Sequence, residues 1–186
     1  MVRQAGRRRW PALAVALFLM ASCSQGMTLT EYFDELSGIR DRLDTAGEKV
    51  QKEADEAIQA ATDEAAQLEV FRELLSKSVD AARVTVSELE DLDPPDAVAQ
   101  AHEEFVAAYE SMIAAMEAGV EASQDATTID EAFQELFSDD AAEAGKRLDT
   151  ACQDLQKVAD DNEVDVDLRC DQTTGAGGEG GQAPAP

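Results

Sequence analysis

Across 186 residues the chain carries 40 acidic side chains against 15 basic ones and one histidine, a formal charge of −25. So acidic a surface repels a phosphate backbone, which excludes nucleic acid as a partner. The length suffices for one domain with a real core.

Arg3, Arg7, Arg8 and Arg9 open the chain, residues 12–21 are uncharged, and small residues stand just before Cys23. A basic start, a short apolar run and a small-residue cleavage site describe a secretory signal peptide over residues 1–22. Leu19, Met20, Ala21, Ser22 and Cys23 resemble the lipobox of bacterial lipoproteins, with Met20 in the place usually held by leucine. The resemblance implies cleavage before Cys23 by a type II signal peptidase. It also implies diacylglycerol and fatty chains such as palmitate on that cysteine. The alternative is an ordinary secretory signal in which Cys23 is incidental. An uncleaved span does not fit, because residues 12–21 supply about half of the ~20 apolar residues that a hydrocarbon core requires. Arg8 and Arg9 do not continue into a twin-arginine pattern, and such charges ordinarily set orientation. Loss of the four signal arginines takes the formal charge from −25 to −29. Electrostatics then oppose attachment to anionic headgroups, so the lipid on Cys23 must hold the protein to the membrane.

Residues 23–27 form a short lipidated tether, and residues 28–170 the expected helical domain. Thr28 and Glu31 have the spacing of a capping box. The helix that follows carries Phe33, Leu36, Ile39, Leu43, Ala46, Val50, Ala54 and Ala57 in steps of three and four, the period of one buried face. Gly38 and Gly47 weaken it locally. A break is expected at residues 60–63, where Thr62 and Asp63 offer capping chemistry, because a helix running on to Leu92 would far exceed the usual length. The second stripe runs through Leu68, Phe71, Leu75, Val79, Ala82, Val86, Leu89 and Leu92.

Asp93, Pro94, Pro95 and Asp96 stop that helix, since Pro94 lacks an amide and holds Asp93 extended. Pro95 suits the first turn of a third helix with Asp93 as its cap. Val98, Ala101, Phe105, Ala108, Met112, Ala115 and Gly119 then repeat at a period of 3.5, which predicts neighbours crossing at about 20°. After a break at residues 124–128, Thr128 and Glu131 make a second capping box. A fourth helix is expected from Phe133, Leu136 and Phe137 through Ala144, Leu148, Leu155 and Val158, with a kink or restart at Ser138. Asn162 should end it. Residues 164–168 then alternate apolar and acidic as an extended segment does. Residues 171–186, rich in Gly, Ala and Pro, should be disordered.

The fold class expected is all-α: an antiparallel up-down-up-down four-helix bundle, with Phe33, Phe71, Phe105, Phe133 and Phe137 as packing anchors and a C-terminal extended segment tied back by a disulfide. Once Cys23 is the anchor, Cys152 and Cys170 remain as an even pair in an oxidising compartment. The loop of about 19 residues that they close is worth roughly 3 kcal/mol in the chain-entropy model. A metal or redox thiol pair lacks a third thiol or a nearby histidine. Leu89, Leu92, Pro94, Pro95, His102, Cys152, Leu155 and Cys170 together resemble helical lipoproteins of Gram-positive bacteria with high genomic GC, a resemblance that implies no activity.

The chemical candidates each have a plainer reading. His102, one heptad from Tyr109 and two from Met116, is a candidate ligand or proton acceptor, but a lone histidine beside an apolar face is ordinarily packed and hydrogen-bonded. Di-metal bundle sites need Glu-x-x-His on two helices, and the chain has no such motif. Met112, Met116 and His102 suggest a soft copper site, although methionine also fills irregular cores. Asp161, Glu163, Asp165 and Asp167 alternate without the glycine and terminal bidentate glutamate of a calcium loop. No Gly-rich phosphate loop, Ser-His-Asp order or thiolate-histidine pair is visible. The function expected is therefore a non-enzymatic lipoprotein on the extracytoplasmic face of the cell membrane, with no catalytic residues, no metal and no cofactor. Its partner would be another envelope protein or a small ligand. The alternative is a metal- or cation-handling lipoprotein that uses the acidic surface, His102 and the methionines.

Overall fold

Thr28 opens the first helix as its spacing requires. Its hydroxyl accepts from the Glu31 amide at 3.2 Å, and the Glu31 carboxylate accepts from the Thr28 amide at 2.9 Å. The computed structural model describes residues 26–136 and 138–170. The signal segment 1–22, Cys23 and the tail 171–186 lie outside the described residues.

Helix α1 spans Leu29–Ala60. Helix α2 spans Glu64–Glu90, with the Asp63 carboxylate accepting from the Ala66 amide at 2.9 Å. The break therefore falls where Thr62 and Asp63 placed it. Helix α3 spans Ala99–Ser123, four residues later than Pro95 suggested. Asp93 is not its cap. Pro95 instead heads an isolated turn in which the Val98 amide donates to the Pro95 carbonyl at 2.9 Å, and α3 begins beyond it without a side-chain cap.

The expected fourth helix is two, so the described residues hold five helices: α4 at Ile129–Leu136 and α5 at Asp139–Asp161. Local capping causes the division. The Ser138 hydroxyl accepts from the Ala141 amide at 3.2 Å and starts α5 afresh. The Thr128 hydroxyl accepts from the Glu131 amide as expected, but the Glu131 carboxylate turns to the amide and hydroxyl of Thr127, at 2.8 and 2.9 Å.

Helix α3 is the hub. It packs on α5, α2 and α4, while α1 packs on α2. Tyr32, Phe33, Leu89, Val98 and Leu155 are sealed in the main core, together with Phe105, Ala108, Leu148 and Ala151. A smaller cluster joins Val79, Ala82 and Val86 of α2 to Ile113 of α3. Phe133 departs from expectation: it is half exposed, with its ring 6.2 Å from that of Phe71, and Ala132 is the buried side chain of that turn. In a helix of eight residues the stripe shifts by one position without breaking its period.

Two guanidinium groups join elements that share no local signal. None of the five described helices carries a basic residue in its last turn. Arg72 of α2 supplies that charge to α3, donating to the carbonyls of Ser123, Gln124 and Ala126 at 2.8–3.1 Å. It satisfies acceptors left over where the helix ends and opposes the negative pole of its dipole. Arg40 of α1 donates to the Arg169 carbonyl at 3.2 Å, and so fastens the C-terminal segment.

That segment, residues 163–170, forms a strap across the bundle. Asn162 sits at the end of α5, and its side-chain amide donates to the Val158 carbonyl. The residue after it, Glu163, is left-handed at φ 57°, and Arg169 further along the strap is left-handed at φ 47°. The Glu163 amide donates to the Asp160 carbonyl and the Val164 amide to the Ala159 carbonyl, the paired bonds of a Schellman ending. Beyond it Val164 and Val166 are half-buried, Asp165 and Asp167 exposed, and Leu168 buried. The alternation read from the sequence is present, although no strand forms. The Gln156 side chain stands in for a strand partner, donating to the Val166 carbonyl at 2.9 Å and accepting from the Leu168 amide at 2.8 Å.

A left-handed conformation costs a residue with a Cβ about 1–2 kcal/mol, part of which glycine returns through its freer unfolded chain. Glu163→Gly should therefore raise stability by about 0.5–1 kcal/mol, seen as a higher urea midpoint with an unchanged slope. A lower midpoint would show that the Glu163 side chain contributes more than its backbone costs.

Candidate functional site

Where α1, α2, α3, α5 and the strap meet, the core is incompletely filled. A cavity of about 170 Å³ lies among Leu36, Ile39, Leu43, Leu89, Phe105 and Leu168, with Arg40, Asp44, Thr85, Tyr109 and Cys152 completing the lining. The helical period brings Leu36, Ile39 and Leu43 to one face of α1. The strap supplies the remaining wall through Leu168.

The polar groups of this cavity differ in how fully they are engaged. Thr85 donates its hydroxyl to the Ala81 carbonyl at 3.2 Å. Arg40 donates to the strap and stands 3.9 Å from Asp44, which also receives Arg169 at 3.5 Å. The Tyr109 hydroxyl is not sealed from solvent and has no protein hydrogen-bond partner among the described residues, and its ring packs edge-on against Phe105 with centroids 5.2 Å apart. Burial pushes its pKa up. The Arg40 charge opposes that rise and the Asp44 charge adds to it.

His102 takes the plainer of its two readings. It is 6 % exposed, and its Nδ1 lies 3.0 Å from the hydroxyl of Tyr32, which is fully buried. Burial holds the Tyr32 hydroxyl protonated by pushing its pKa above the ordinary range. The hydroxyl and Nδ1 of the neutral imidazole share one hydrogen bond, whose donor is set by the ring tautomer. Burial also pushes the His102 pKa below 6.5, against the smaller opposing influence of Glu103. No buried side-chain polar atom lacks a partner among the described residues.

The metal candidates are not gathered. Met112 packs against the main core and Met116 against the smaller cluster. Asp161, Glu163, Asp165 and Asp167 are all exposed. Among the described residues no three His, Cys, Asp or Glu side chains converge on a point that would hold a metal ion. No helix among them is long and apolar enough to cross a membrane.

Cys152 and Cys170 come together at disulfide distance, with Cα atoms 5.5 Å apart and a sequence separation of 18. Cys152 is buried in the main core, so the pair fixes the strap where it walls the cavity.

Sequence reading alone missed four of these side chains. Tyr32 stands four residues before Leu36, and extending the α1 stripe one step backward would have found it. Arg40, Arg72 and Gln156 act on distant backbone and leave no periodic trace.

No family model, curated protein or solved structure matches the chain.

The His102 pair sets a pH dependence with a definite sign. A base whose pKa is lowered by folding binds fewer protons folded than unfolded, so its contribution is complete above pH 6.5 and is lost as pH falls through the folded value. Wild-type stability should decline as pH falls below 6.5, and His102→Gln should flatten the first part of that decline while leaving the carboxylate-driven loss at lower pH. An equal decline in the variant would assign the dependence elsewhere. Full reduction of Cys152 and Cys170 should remove roughly 3 kcal/mol, about 6–12 °C in melting temperature for a domain of this size. An unchanged midpoint would exclude the bridge.

Proposed function

We propose that the chain is an extracytoplasmic lipoprotein, held to the membrane by lipid on Cys23, whose helical body is a binding module and not a catalyst. The observation that carries this reading is the order of Leu19, Met20, Ala21, Ser22 and Cys23 behind a basic, then apolar, start. Thr28 begins α1 only five residues after Cys23, which agrees with a body seated close to its anchor.

The binding half rests on the cavity beside Arg40 and Tyr109. The sole histidine is engaged with Tyr32, so it serves the fold. The exposed acidic side chains keep the body soluble and steer polyanions away.

The body itself is proposed to run up, down, up and down through α1, α2, α3 and α5, with α4 as a short insert. Paired side chains support this. Arg42 meets Glu88, and Glu53 meets Lys77. Moving 11 residues forward along α1 moves the partner 11 residues backward along α2. Between α2 and α3, Arg83 meets Glu117 and Arg72 meets Ser123, again in opposite senses. In this reading the Cys152–Cys170 bridge is oxidised in the compartment where the protein resides.

Cys23→Ala should move the protein out of the membrane fraction, and the mature wild-type N-terminus should be an acylated Cys23 by mass spectrometry. Membrane association unchanged in the variant, or an unmodified N-terminus elsewhere, would overturn the tether.

A further inference from the structure

The cavity between α1, α2, α3 and the strap has a size, a polarity and a charge balance that together define a ligand class. Size comes first. A cavity of about 150 Å³ lined by Leu, Ile and Phe accommodates benzene, and this one measures about 170 Å³. The part of an occupant seated inside is thus roughly six to eight non-hydrogen atoms. Leu36, Ile39, Leu43, Leu89 and Phe105 give an apolar floor, which favours a ring or a short branched chain.

Charge decides the next property. Arg40 and Asp44 stand 3.9 Å apart, Arg169 lies 3.4 Å from Asp41 and 3.5 Å from Asp44, and a further Arg40 donor is committed to the Arg169 carbonyl. The two cations and two anions at the rim cancel. A carboxylate entering here would meet Asp44 as well as Arg40, inside a protein whose formal charge is −25. An ammonium would meet the Arg40 guanidinium. Neither charge is matched, and desolvating an unmatched charge is costly.

A neutral polar contact remains on offer. The Tyr109 hydroxyl is without a hydrogen-bond partner among the described residues, whereas Thr85 already donates to Ala81. We propose that this cavity binds a small neutral molecule with an apolar body and a single hydroxyl or carbonyl, the class of phenol and the short alcohols and ketones, with its polar atom on the Tyr109 hydroxyl. The inference rests on the binding half of the functional reading and is independent of the lipid on Cys23.

Phenol is the probe, titrated into the full-length chain bearing Cys23→Ala and followed by methyl NMR. Leu36, Ile39, Leu43, Leu89 and Leu168 should shift saturably, with a Kd of about 0.1–1 mM for seven non-hydrogen atoms. Tyr109→Phe should weaken phenol five- to tenfold, and benzoate, similar in shape but charged, should bind at least tenfold more weakly than phenol. The methyl spectrum of the variant reports its fold in the same experiment. A second variant, Leu43→Phe, narrows the cavity and should weaken phenol while leaving Tyr109 in place. No saturable shift up to 10 mM would overturn the proposal, as would benzoate binding equal to phenol or phenol affinity unaltered in Tyr109→Phe. Phenol binding without acylation at Cys23 would fail only the tether, and acylation without phenol binding would fail only this site.

Discussion

Small side chains on α3 and α5 govern how the molecule closes. Ala108 of α3 and Ala144, Gly145, Ala151 and Ala159 of α5 are all buried, and such residues let two helices approach closely with little between them. The main core therefore has few large fillers, chiefly Tyr32, Phe33, Leu89, Phe105 and Leu155. Leu36, Ile39 and Leu43 of α1 face that core and the cavity lies on their side, while an open groove runs between α3 and α5 beside Ala108 and Ala151. The 170 Å³ cavity opens to the surface beside Arg40 and Asp44, so it is a cleft in the face of the core and not a sealed void.

The buried polar side chains follow the same economy. Among the described residues they are Thr85, His102 and Ser123, and each has a partner. Tyr32 and His102 tie the first turns of α1 and α3 together, where a lost partner would leave a buried group unsatisfied at about 1–3 kcal/mol. Arg72 does comparable work at the far end of α3. Its four hydrogen bonds go to backbone carbonyls, so the position of α4 depends on a side chain from α2. Exposed pairs such as Arg83 with Glu117 contribute little alone, yet they record the register between α2 and α3.

What could be read in the residues was mainly local. Periodicity located the buried faces of α1, α2 and α5, and capping chemistry at Thr28, Asp63 and Ser138 located three helix starts. The alternation at residues 164–168 foretold which strap side chains turn inward. Proline misled at α3, because Pro95 is as well suited to an isolated turn as to a helix start. Phe133 misled because hydrophobicity marked it for the core, whereas the docking of so short a helix buried Ala132 instead. The cavity was not legible at all. Of its lining Leu36, Ile39, Leu43, Leu89 and Phe105 were visible, but only as ordinary stripe residues.

The strap has a kinetic consequence. Helices that neighbour each other in sequence, as α1 with α2 and α2 with α3, need only short loops to close and can assemble in microseconds to milliseconds. Joining two thiols takes seconds to hours without an efficient oxidant. The wall that Leu168 provides would thus be secured on a far slower clock than the helices it covers. Newly made chains would spend their first interval as a nearly complete bundle with one loose side, and the speed of thiol oxidation would decide how long that state persists.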